Sequence, residues 1–86
     1  MSVETIQAQL LQFVNHEILG GGTVGPDDEV VLDGTVDSLG VARLLGFIET
    51  EFSIRVPPED VTIENFRTIA TMAGFLYQED GTETAQ

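Results

Sequence analysis

An 86-residue chain with fifteen acidic side chains, three arginines and no lysine has a formal net charge of -12, which repels nucleic acids and anionic membranes and draws basic partner surfaces. With no cysteine it has neither disulfides nor thiolate metal sites. The length suits one domain with a modest core; no signal peptide and no membrane-spanning apolar run are visible, and the expectation is a cytoplasmic monomer.

From Val3 to about Leu19 the residues Val3, Ile6, Leu10, Phe13, Val14 and Ile18 recur at mostly three- and four-residue steps, which predicts an amphipathic helix. Ser2 is placed to cap its start and Gly20 to end it in a left-handed turn. Gly20 to Val36 contains Gly20-Gly21-Gly22, Pro26 and Asp27-Asp28-Glu29, and predicts a long first loop pinned by Val30, Val31 and Leu32. Those three could form a strand only with Ser53 to Val56 as partner, and an isolated two-stranded pair is marginal.

A second helix is predicted from about Ser38 to Phe52, with Val41, Leu44, Leu45, Ile48 and Phe52 towards the core. Leu39, Ala42, Arg43, Gly46, Glu49 and Thr50 make a different face. Gly46 costs about 1 kcal/mol of helix propensity there, which close packing against a neighbouring helix or a flat surface for a partner would each explain. No acid stands three or four residues from Arg43, so its ion pair, if any, is with another segment.

Pro57-Pro58-Glu59-Asp60 breaks the chain, and Thr62-Ile63-Glu64-Asn65-Phe66 has room only for a short helix capped by Thr62. Thr68 or Asn65 caps a last helix whose Ile69, Met72, Ala73 and Leu76 face the core, Met72 as filler. Residues 79–86 are polar, without an apolar anchor, and are expected to be a disordered tail after a single domain over residues 1–78. The fold expected is all-α: an up-and-down four-helix bundle of three longer helices and one short one, with a long first loop.

Asp37-Ser38-Leu39 stands where that loop gives way to the second helix. Taken alone the tripeptide reads first as a helix cap, since Ser and Asp are both favoured there. A phosphate ester on the serine oxygen would also meet free backbone N–H groups and the positive end of the helix dipole.

The run Gly34-Thr35-Val36-Asp37-Ser38-Leu39-Gly40, then Phe47-Ile48-Glu49-Thr50-Glu51-Phe52-Ser53-Ile54-Arg55-Val56-Pro57, then Glu64-Asn65-Phe66, resembles the acyl carrier and peptidyl carrier protein family. It is most similar to the small free-standing carriers that work with a separate adenylating enzyme. The resemblance implies that Ser38 takes covalent 4'-phosphopantetheine from a phosphopantetheinyl transferase, and that the chain holds an acyl or aminoacyl group as a thioester between biosynthetic enzymes. It further implies an adenylating or acyl-loading enzyme and a downstream acyltransferase or condensing enzyme as partners, in polyketide or nonribosomal peptide type synthesis. Asp37, Leu39, Ala42, Arg43 and Gly46 are the expected docking residues. Arg43 lies where many family members have an acid, and Gly46 where many have a larger apolar residue. An unmodified acidic helical interaction module is the alternative.

An enzyme is not expected. The hydrolase elbow needs glycines two residues either side of the serine, and Val36 occupies the first place. Asp37 is poorly directed to serve Ser38 as a base, and His16, the single histidine, sits among Asn15 and Glu17 as a solvated residue. Asp27, Asp28, Glu29, Asp33 and Asp37 suggest a calcium loop, yet Val31 takes one ligand place and Gly40 stands where the closing glutamate belongs, so no metal site is expected.

Overall fold

A computed structural model describes the backbone of residues 2–84 and the side-chain surroundings of residues 2–79. The described residues form four α-helices and no strand: α1 Val3–Phe13, α2 Ser38–Phe52, α3 Ile63–Phe66 and α4 Ile69–Thr84. None is long and apolar enough to cross a membrane.

Ser2 caps α1, its Oγ accepting from the Thr5 N–H at 3.2 Å. Past Phe13 the helix widens into a π turn, Val14–Ile18, so the segment expected to be one regular helix to Leu19 has two geometries. Asn15 lies in the widened turn and holds the returning chain: its Oδ1 accepts from the Val24 N–H at 2.9 Å and its carbonyl from the Gly21 N–H at 2.7 Å. Gly20, with φ +62°, makes the left-handed exit predicted for it.

The core collects Ile6 and Leu10 from α1, Val14 from the π turn, Leu44, Ile48 and Phe52 from α2, Phe66 from α3, and Ile69, Met72, Ala73 and Leu76 from α4. Each large side chain so buried contributes on the order of 1.5–3 kcal/mol. The helical stripes read from the sequence supply these residues apart from Phe66, with Val3, Phe13, Ile18, Val41 and Leu45 half-buried at the margin. The most extensive packing between helices is that of α1 against α4.

The long loop is pinned by Val30 and Val36, both sealed from solvent. Val31 is half-buried, and Leu32, expected as a third pin, is 54% exposed. Two turns explain the difference: Asp33 N–H bonds to the Glu29 carbonyl and Gly34 N–H to the Val31 carbonyl, so successive side chains diverge. The Val36 N–H then closes back on the Val30 carbonyl at 2.8 Å. Two contacts fasten the loop to the far side of the bundle. The Ala70 N–H donates to the Pro26 carbonyl at 2.9 Å, and the Arg67 Nε donates to Glu29 Oε1 at 2.7 Å.

Ser53 ends α2 in a left-handed conformation, φ 58°. A 3₁₀ turn, Pro58–Asp60, leads to α3, where Thr62 Oγ1 accepts from the Asn65 N–H at 3.2 Å as predicted. Thr68, of the two expected candidates, caps α4 by accepting from the Thr71 N–H at 3.0 Å; Asn65 instead donates its amide to the Asp60 carbonyl. The helix α4 runs to Thr84, so the boundary expected at residue 78 falls inside a helix and most of the expected tail has helical backbone. Extending a helix already anchored by packing adds a hydrogen bond for each residue fixed, which lets the polar sequence follow. The last two residues, 85 and 86, lie outside the described residues.

Candidate functional site

Ser38 is the first helical residue of α2, and the cap is Asp37. Asp37 is extended, with φ -88° and ψ -172°, and its Oδ1 accepts from the Gly40 N–H at 2.9 Å while its carbonyl accepts from the Val41 N–H at 2.8 Å. That division of labour resolves the ambiguity of the tripeptide. The serine is exposed and its hydroxyl has no hydrogen-bond partner among the described residues, so it is not used to start the helix. The N–H groups of Ser38 and Leu39 likewise lack an acceptor there, as the first donors of a helix do.

The outward aim of Ser38 comes from its neighbour two positions on. Gly40 is buried, and a Cβ built on it would lie 3.0 Å from Val36 Cγ1, 3.4 Å from Asp37 Oδ1 and 3.7 Å from Ile18 Cγ2. A bare backbone lets the first turn of α2 sit down on Val36. Two residues span about 200° of helix, so seating Gly40 inward turns Ser38 outward. Beside it Val31, Val36 and Val41 line a shallow groove with Asp37 and Ser38. Leu39, 70% exposed, stands next to the serine.

The other residues singled out on α2 share one exposed face. Leu39, Ala42, Arg43 and Gly46 fall within an arc of about 100°, and all four are exposed. Nothing lies within 4 Å of a Cβ built on Gly46, so close packing does not account for this glycine. Arg43 Nη2 is 3.9 Å from Glu17 Oε1 on the π turn, with both side chains about half exposed. Glu17 escaped the sequence reading because the pair joins residues far apart in the chain. Gly40 escaped it too; its signal was a glycine in a helical first turn otherwise free of turn chemistry.

The acidic loop uses most of its carboxylates internally. Asp28 Oδ2 accepts from the Gly25 N–H at 2.8 Å, Asp33 Oδ1 from the Thr35 N–H at 2.9 Å, and Glu29 pairs with Arg67. The Thr35 hydroxyl and then its backbone N–H hold the Asp33 carboxyl below the usual carboxylate range. The bond to Glu29 raises the Arg67 guanidinium further. Among the described residues no three His, Asp or Glu side chains are grouped to hold a metal. His16 is exposed on the π turn, across the helix pair from Phe47.

Residues 7–76 match the family model described as "Phosphopantetheine attachment site". Over 81 residues, 93% of this chain and 98% of the relative, the sequence is 32% identical to an acyl carrier protein of Kineococcus radiotolerans. A helical bundle with a free serine at the mouth of its second helix is the architecture of a group-bearing carrier. The chain belongs to the phosphopantetheine-attachment family of carrier proteins, and its prosthetic group is covalent 4'-phosphopantetheine. It is a carrier and not an enzyme.

Proposed function

We propose that Ser38 is the attachment residue, and that the chain carries an acyl or aminoacyl group between enzymes of polyketide or nonribosomal peptide type synthesis. The observation that carries the assignment is the unengaged Ser38 hydroxyl, exposed at the start of α2 while Asp37 does the capping. The residues fit the group. The unpaired N–H groups of Ser38 and Leu39 and the positive end of α2 favour a phosphate diester on that oxygen. The prosthetic group brings the thiol that a chain without cysteine lacks. Tethering cargo on such an arm raises its effective concentration at each partner in turn.

Asp37, Leu39, Ala42, Arg43 and Gly46 form the docking surface in this reading. Leu39 offers an apolar anchor next to the serine, Gly46 leaves the middle of the face flat, and Arg43 sets a cation in otherwise neutral surroundings on α2. A phosphopantetheinyl transferase, an adenylating or acyl-loading enzyme and a downstream acyltransferase or condensing enzyme use this face in succession. The arginine disfavours partners built to meet a carboxylate at that position, which favours natural-product over fatty-acid enzymes.

Incubation with coenzyme A and a broad-specificity phosphopantetheinyl transferase tests the assignment by intact mass. The chain gains one phosphopantetheine, and Ser38→Ala gains none while keeping its thermal midpoint; an undiminished gain in the variant places the group elsewhere. The mass of the species released from loaded protein purified from its source tests the pathway. An aminoacyl or polyketide fragment supports it, and a saturated fatty acyl chain overturns it.

A further inference from the structure

We infer that the groove between α1 with its π turn and α2 is a second docking site, one that takes an arginine side chain of a partner protein. Phe13 and Phe47 stack across it with ring centroids 4.3 Å apart and planes 17° from parallel, and both rings are half-buried. Phe47 is braced from behind by Phe52, edge-on at 5.8 Å. Around the two rings stand the exposed polar residues Gln12, His16, Glu17 and Glu51.

Charge selects the occupant. All three arginines of the chain are engaged, Arg43 with Glu17, Arg55 with Glu49 and Arg67 with Glu29. Among the described residues Glu51 has no ion pair, and the chain as a whole has a net charge of -12. An aromatic surface bordered by an unpaired carboxylate suits a cation with a flat face: with Phe47 held between Phe13 and Phe52, a guanidinium stacks on the outer face of Phe13 while its fork donates to the carboxylate. A lysine ammonium supplies charge without the stacking plane.

The place of the groove sets its use. Phe47 is nine residues after Ser38, about 14 Å along α2 and about half a turn away round it. A partner held there leaves the serine itself uncovered, while the groove borders Arg43 and Gly46 of the docking face. The groove can therefore hold an arginine of a partner whose active site reaches the Ser38 end.

Titration of the isotope-labelled full chain with the peptide acetyl-Gly-Arg-Gly-Arg-Gly-amide, followed by amide NMR shifts, tests this. Shifts are expected at Phe13, His16, Phe47 and Glu51, smaller with the lysine peptide and absent with the citrulline peptide. Phe13→Leu, which keeps an apolar side chain, is expected to weaken binding about two- to fivefold. Glu51→Gln, at an exposed position that folding does not need, is expected to weaken it by a similar factor. Shifts confined to the acidic loop before Ser38, equal response to arginine and lysine, or unchanged affinity in both variants would each overturn the inference.

Discussion

Leu44 and Ile48 in the middle of α2 are completely buried, whereas the loop that delivers the chain to Ser38 buries only Val30 and Val36 and otherwise holds itself with carboxylates, turns and one arginine. Apolar burial is insensitive to pH and spread over many neighbours; the loop depends on single hydrogen bonds and on the ionisation of Asp33. Ser38 sits on the seam between the two. Its helix is placed by the core, and its outward aim is fixed by Asp37 and Gly40 where loop meets helix.

Four substitutions press on the core, on α2 where it meets the loop, and on the loop in turn. Leu44→Ala removes a fully buried side chain and is expected to cost about 2–5 kcal/mol, lowering the thermal midpoint by roughly 4–8 °C per kcal/mol; a loss under 1 kcal/mol in urea unfolding would mean that the frame is much softer than its burial implies.

The two glycines of α2, Gly40 at the seam and Gly46 on the exposed face in mid-helix, should respond with opposite sign. Gly46→Ala meets nothing within 4 Å and is expected to stabilise by about 0.5–1 kcal/mol through helix propensity. Gly40→Ala presses a methyl onto Val36 and is expected to destabilise by about 1 kcal/mol, overpacking outweighing the same propensity gain. Paired thermal melts check this, and equal shifts would show that α2 is not seated tightly on the loop.

The smallest effect belongs to Asp33. Its carboxyl is held below the ordinary value of 3.8 in the folded chain, so its contribution is present above that value and is lost as pH falls through the lowered one. Asp33→Asn is therefore expected to flatten slightly the acid limb of stability against pH, leaving neutral pH nearly unchanged. A curve that matches the parent at every pH would show that the Thr35 contacts do not persist in solution.

The helical frame was legible because its signals are periodic. Ile6, Leu10, Leu44, Ile48, Ile69, Met72 and Leu76 repeat at helical spacing, and Ser2, Thr62 and Thr68 announce their helix starts. The motif around Ser38 was legible as a resemblance, and the division between Asp37 as cap and Ser38 as free hydroxyl needed atomic positions. What lay beyond the sequence was set by contacts between distant segments: Glu17 beside Arg43, Glu29 under Arg67, Phe13 on Phe47. Leu32 pointed outward because loop turns, unlike helices, have no period that assigns a side chain to a face.

The packing of α1 against α4 joins segments from opposite ends of the described chain, so the core is complete only once nearly all of the sequence is available. During synthesis, then, α1, the loop and α2 leave the ribosome before the helix that completes their packing. Ser38 exists as a residue early, but as a presented helix end only late. If Ser38 is the attachment residue as proposed, an enzyme that recognises the folded mouth of α2 would pass over truncated or misfolded chains.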